Sequence, residues 1–182
     1  LFERLKFATI VASNLDEFFM VRVASIKTRI GDGSTERDPS GLTPFEEYER
    51  VAAKAHEQVA ALHAAIEGDI LPGLREHGIR LVRPADLEGQ DTSWVQRHFL
   101  DQVAPALTPL AIGPERPFPL LAGLSLNIGV RVQAEPGQDA ARLAVVQLPS
   151  GLPRLVRVGG AGGPRYLLLE EIVRAGLGAL FP

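Results

Sequence analysis

The chain has no cysteine, which excludes disulfides, Cys-ligated zinc and thiol catalysis together. Lysine is scarce, confined to Lys6, Lys27 and Lys54. The other cations are arginines, whose planar guanidinium groups suit bidentate contacts to phosphate or carboxylate. There is no surplus of positive charge. The formal net charge is −3, which argues against a nucleic-acid-coating protein, since displacing counterions requires a basic surface. Apolar runs stay far below the roughly 18 residues that a membrane-spanning helix needs, and no basic-then-apolar leader opens the sequence. A cytoplasmic location is expected, with peripheral membrane attachment left open to a larger complex.

What is present suffices for a folded core: 182 residues, 46% hydrophobic and 23% charged, the composition of a globular protein. The apolar pattern is already running at Leu1, Phe2 and Leu5, and the first residue is not methionine. The chain therefore reads as a piece cut from a longer protein.

The first half has helical spacing. Residues 2–12 carry apolar side chains on nearly every face, which predicts a helix enclosed on most sides by neighbours, some of them outside this piece. Ser13 or Asn14 is a suitable N-cap, and Glu17 completes a capping box with Asn14, so a second helix is predicted to begin there. That helix would gather Leu15, Phe19, Val23, Ile26 and Ile30 into one stripe and end near Gly31. Residues 31–42 are turn formers and predict a mobile connection. Thr43-Pro44-Phe45-Glu46 combines an N-cap, a first-turn proline and a capping-box glutamate. The following stripe, Phe45, Tyr48, Ala52, Ala55, Val59, Leu62 and Ile66, has the spacing of a seam between antiparallel helices. Pro72 predicts a kink or restart near Gly68 to Pro72, and Gly78 a stop. Residues 79–82 read as extended, and Thr92 as the cap of a helix through Trp94, Phe99 and Val103.

Pro105, Pro109, Pro114, Pro117 and Pro119 predict an irregular junction, where the period changes. Residues 124–132 alternate as a half-buried strand. Pro136-Gly137-Gln138-Asp139 reads as a turn, and residues 142–148, apolar on both faces, as a central strand. Further strands are predicted at 155–158 and 166–168, then a helix opened by Glu170 and Glu171. The fold class is thus α+β: an antiparallel helical bundle (residues 1–104) followed by a small, mostly antiparallel sheet with a terminal helix (residues 105–182).

Few residues suggest chemistry by themselves. Gly159-Gly160-Ala161-Gly162-Gly163 lacks the Lys-Ser or Lys-Thr and the helix that a phosphate loop requires, so it reads as a turn. His56 and His63 share a helical face about 10 Å apart, too far to hold one metal ion, and His77 and His98 are isolated. Asp16 and Glu17 fit the first turn of a helix, where acids favour the dipole, better than a metal site. Asn14 is the most informative polar residue, because an amide offers both a donor and an acceptor and can pair with an adenine edge. If it caps a helix its oxygen is occupied and its NH₂ remains free. If Ser13 caps instead, the whole carboxamide is available.

Several segments resemble polyphosphate kinase. They are Glu3-Arg4-Leu5-Lys6-Phe7, Ser13-Asn14-Leu15-Asp16-Glu17-Phe18-Phe19 with Val21-Arg22-Val23, Leu107-Thr108-Pro109, and Pro117-Phe118-Pro119. Leu124-Ser125-Leu126-Asn127, Leu148-Pro149 with Pro153-Arg154, and Leu169-Glu170-Glu171 leading to Leu180-Phe181-Pro182 continue the series. The resemblance implies a helical amino-terminal domain (1–104) and the first part of a head domain (105–182) that helps form a homo-oligomer. In that family later domains move the terminal phosphate of ATP onto polyphosphate through a phosphohistidine, with Mg²⁺ assisting. Asn14 is the one residue carried over, as part of the nucleotide site. No residue matches the phosphorylated histidine, so no catalytic or metal-binding residue is expected here. The alternative class is a non-catalytic helical adaptor or oligomerisation module.

Overall fold

A computed structural model describes residues 1–113, 118–132, 142–159 and 163–181. It divides into two compact units, Leu1–His77 and Gly78–Pro182.

In the first unit, α1 (Phe2–Phe18) passes through a π-helical turn, Phe19–Val23, directly into α2 (Ala24–Gly31). The expected break at Ser13 or Asn14 does not occur. An N-cap must leave helical backbone geometry, and no glycine or proline interrupts residues 2–30. Keeping an asparagine inside a helix costs less than ~1 kcal/mol relative to alanine, less than unravelling the turn around it. Asp16 and Glu17 are likewise interior, so the first-turn explanation for them falls with the cap.

The return arm begins as expected. Thr43 Oγ1 accepts from the Glu46 N–H at 3.3 Å, and Glu46 accepts from the Thr43 N–H at 2.8 Å, at the head of α3 (Pro44–Ala65). The bond from the Thr43 backbone, then that from its hydroxyl, holds the Glu46 carboxyl below its usual range. A second π-helical turn, Ile66–Ile70, joins α3 to α4 (Leu71–Glu76). It lies where the kink was expected, because Pro72 has no N–H to offer the Gly68 carbonyl. Gly78, with φ of 78°, follows the helix end. The intervening loop is organised by Asp38, which accepts from the N–H groups of Ser40 and Leu42 at 2.8 and 2.9 Å.

Ion pairs Arg4–Asp69 and Arg29–Glu47 join opposite ends of the two arms, so the arms run antiparallel. Ala8, Val23, Ile26, Ala55 and Ile70 are buried. Phe2 and Phe7 are each 63% exposed, so this unit does not itself supply the neighbours expected around most sides of residues 2–12. Only one face of α1 meets α3, and the other faces have no neighbour in this unit. Phe45 and Val59 of the expected stripe are exposed too, while Val51 turns partly inward.

The second unit contains two three-stranded sheets. One has the order β1-β6-β5, from β1 (Arg80–Leu81), β6 (Arg165–Leu168) and β5 (Leu155–Val158). The other has the order β2-β4-β3, from β2 (Pro109–Ile112), β4 (Arg142–Gln147) and β3 (Asn127–Val132). Only β1 with β6 is parallel, and β4 is central as its apolar faces predicted. Strand β2 was not expected in a proline-rich stretch. It is an edge strand with Pro109 as its first residue, a position where a missing donor is tolerated. Strand β3 starts later than predicted because Leu124, at φ of 58°, lies in a turn. The predicted turn at 136–139 lies outside the described residues.

Helix α5 (Gln90–His98) starts after Gly89. Thr92 is not its cap: its hydroxyl donates to the Leu87 carbonyl at 2.9 Å. A π-helical turn, Phe99–Val103, continues α5, and α6 (Leu169–Leu180) closes the unit. Val95, Phe99 and Val103 share one core with Val146, Val156, Val158, Leu167, Ile172 and Val173. The compact division therefore falls at His77–Gly78, whereas the sequence period changes near 105.

Glu170, in the first turn of α6, accepts from Arg154 Nη2 at 2.7 Å and from its Nε at 3.3 Å. Burial pushes the Glu170 carboxyl up, but the Arg154 hydrogen bonds, its own backbone N–H and the guanidinium charge together hold it below the usual range. A depressed folded-state pKa stabilises the protein above the unfolded value and loses that contribution as pH falls through the folded value. Glu170→Gln should therefore cost about 0.5–1 kcal/mol at pH 7, a partly screened pair. The difference from wild type should close as pH falls below about 4, as read by urea denaturation at each pH.

Candidate functional site

Facing stripes of α1 and α3 leave an open groove of about 820 Å³. Val11, Asn14, Leu15 and Phe18 line one side, at the i, i+3, i+4 and i+7 spacing of one helical face. Val51, Lys54, Ala55, Gln58, Ala61 and Leu62 line the other. Two of these lining side chains, Ala55 and Ala61, are small.

The two ion pairs fix the register: 4 lies across from 69 and 29 from 47, which places position 14 opposite about residue 60 on an antiparallel helix. Asn14 and Gln58 thus sit at nearly the same level on opposite walls. Among the described residues neither carboxamide makes a hydrogen bond. Asn14 is a mid-helix residue with no capping duty, so its donor and acceptor are both available. Lys54 donates to Glu57 at 2.7 Å, and that hydrogen bond with the carboxylate charge pushes its ammonium pKa up. The chemistry offered is a mostly apolar surface flanked by two amides and a cation, suited to a flat, partly polar ring.

Of the residues weighed for chemistry in the sequence, only Asn14 lines this groove. Gln58 and Lys54 were missed. Their signal was present in the α3 seam, where Tyr48, Val51, Ala55 and Leu62 recur at three- and four-residue steps and position 58 completes the series with a polar residue. His56, His63 and His77 are exposed, and His98 stacks on Trp94 at 4.9 Å. Among the described residues no group of His, Asp and Glu could hold a metal ion, and no helix is long and apolar enough to cross a membrane. Gly159 leads out of β5 and Gly163 into β6, and residues 160–162 between them lie outside the described residues. Gly163 has φ of 97°, and a Cβ there would come within 2.9 Å of the Gly78 carbonyl oxygen, so backbone approach explains that glycine.

Comparison with known proteins gives one answer along the whole length. The family profile described as polyphosphate kinase N-terminal domain matches residues 1–82. That described as polyphosphate kinase middle domain matches residues 90–182. The chain is 39% identical over 181 residues to a polyphosphate kinase of Lactiplantibacillus plantarum, covering 100% of this chain and 25% of that protein. It is 40% identical over 189 residues to polyphosphate kinase 1 of Chlorobaculum tepidum, covering 100% of this chain and 27% of that one. The crystal structure of polyphosphate kinase from Porphyromonas gingivalis superposes with a TM-score of 0.81 at 26% identity, over 100% of this chain and 26% of the other. The chain thus spans about a quarter of the relatives it matches. Matched in order by both profiles and aligned over its own full length with part of each relative, the chain belongs to the polyphosphate kinase family.

Proposed function

We propose that this chain is the amino-terminal part of a polyphosphate kinase, which reversibly transfers the terminal phosphate of ATP to inorganic polyphosphate through a phosphohistidine. The chain's own contribution is binding. Asn14 forms part of the nucleotide site, and the head region, residues 105–182, takes part in a homodimer. The residues that carry out phosphoryl transfer lie in regions of the parent protein outside this sequence, so the chain alone is inactive. Mg²⁺ belongs to the parent reaction. The parent is placed in the cytoplasm.

The observation that carries the reading is the uncommitted carboxamide of Asn14 on an apolar groove. Asn14 is exposed in the middle of α1, where it caps no helix end and its carboxamide lines the groove with both donor and acceptor free. An amide can accept from a purine amine and donate to a ring nitrogen at once. Asn14→Ala in the complete enzyme should raise KM for ATP about two- to tenfold, the loss of one or two modest hydrogen bonds. Steady-state kinetics with ATP varied and size-exclusion chromatography test it. Unaltered KM with intact assembly would remove Asn14 from the nucleotide site.

A further inference from the structure

We infer that Gln58 supplies a second amide to the same purine, from the wall opposite Asn14, as a base-recognition residue. The inference rests on the nucleotide reading of the groove and adds a residue to it.

Gln58 lies on the groove-lining face of α3, where Val51, Ala55 and Leu62 flank it at three- and four-residue steps. Its side chain is exposed on the wall of the open groove. It has no intramolecular hydrogen bond among the described residues, so it does not specify the pairing of the two arms. Lys54, one turn earlier, is engaged by Glu57, which leaves the two carboxamides as the free amide groups of the groove. Their level is matched by the antiparallel register set by Arg4–Asp69 and Arg29–Glu47. A purine lying on the apolar surface between the arms presents its exocyclic amine and adjacent ring nitrogens at its edge. Two amides on opposite walls can address that edge from both sides without entering the phosphate-transfer chemistry.

The contact is made equally in the ground state and the transition state, so its loss appears in KM and leaves kcat near its original value. The test uses the full-length enzyme with Asn14→Ala, Gln58→Ala and the double variant. ATP is compared with purine riboside triphosphate, which lacks the 6-amino group. Gln58→Ala should raise KM for ATP about two- to tenfold. It should have a smaller effect with purine riboside triphosphate, whose base has lost the group that the amide oxygen accepts from. Alanine is the better helix former, so circular dichroism should show helix content retained. If Asn14→Ala raises KM and Gln58→Ala does not, or Gln58→Ala acts equally on both substrates, Gln58 is no base contact while the nucleotide groove stands. If neither single variant nor the double variant moves KM for ATP, the groove reading fails with it.

Discussion

Replacing Phe99 by alanine should lower the unfolding free energy by about 3–5 kcal/mol, the cost of emptying a large aromatic site that its neighbours refill only in part. Phe99 is 2% exposed and belongs to the core formed by α5, α6 and both sheets. It lies at the junction of α5 with its π-helical turn. A loss of that size is a large share of the 5–15 kcal/mol that holds a typical domain folded. The melting temperature of the chain should fall by roughly 10 °C or more. Differential scanning calorimetry checks it, and a shift within about 2 °C would mean that the ring is not packed as described.

Gly176→Ala should destabilise by about 1–2 kcal/mol, although alanine is the better helix former. A Cβ at position 176 would stand 2.5 Å from three atoms of the Phe99 ring. Alanine gains about 1 kcal/mol of helix propensity, but overpacking a filled core costs about 1–3 kcal/mol and sometimes more. Phe99 is 2% exposed, so admitting the methyl requires a ring packed in the core to shift, and the clash outweighs the propensity gain. Two controls isolate the cause. Gly178→Ala, on the same helix with nothing within 4 Å of its Cβ, should stabilise by up to about 1 kcal/mol. Phe99→Leu combined with Gly176→Ala should cost less than the sum of the two alone, because the smaller side chain makes room for the methyl. Additive costs in urea denaturation would place the effect of Gly176 elsewhere.

Much of this architecture was legible because local chemistry and packing agree there. The Thr43–Glu46 start, the stop at Gly78 and the central strand β4 each follow from a residue whose conformational need is strong and short-range. The first helix was misread because Ser13-Asn14-x-x-Glu17 is a cap only when the chain enters from outside a helix. The spacing shows residues 2–12 as helical, but it does not reveal that this helix runs on through Ser13 and Asn14 without a break. Thr92 was misread for a similar reason, its hydroxyl donating to a carbonyl instead of accepting from an amide. Strand β2 was hidden because proline counts say nothing of edge position. In the groove, Asn14 was legible as a residue type. Gln58 was not, because its meaning depends on the opposite arm, and the pairing register comes from ion pairs that join residues far apart in sequence.

The π-helical turns at Phe19–Val23 and Ile66–Ile70 act as phase shifters along the two arms. Each absorbs one residue more than an α-helical turn would, so the angular bookkeeping before and after it differs by about 100°. A one-residue deletion between 19 and 23 would convert the turn to ordinary α-helix and leave every hydrogen bond formed. It would nevertheless rotate Ile26 off the partner arm while leaving Asn14 where it is. The length of that segment, more than its composition, therefore keeps the wall of the groove and the buried end of the hairpin in step.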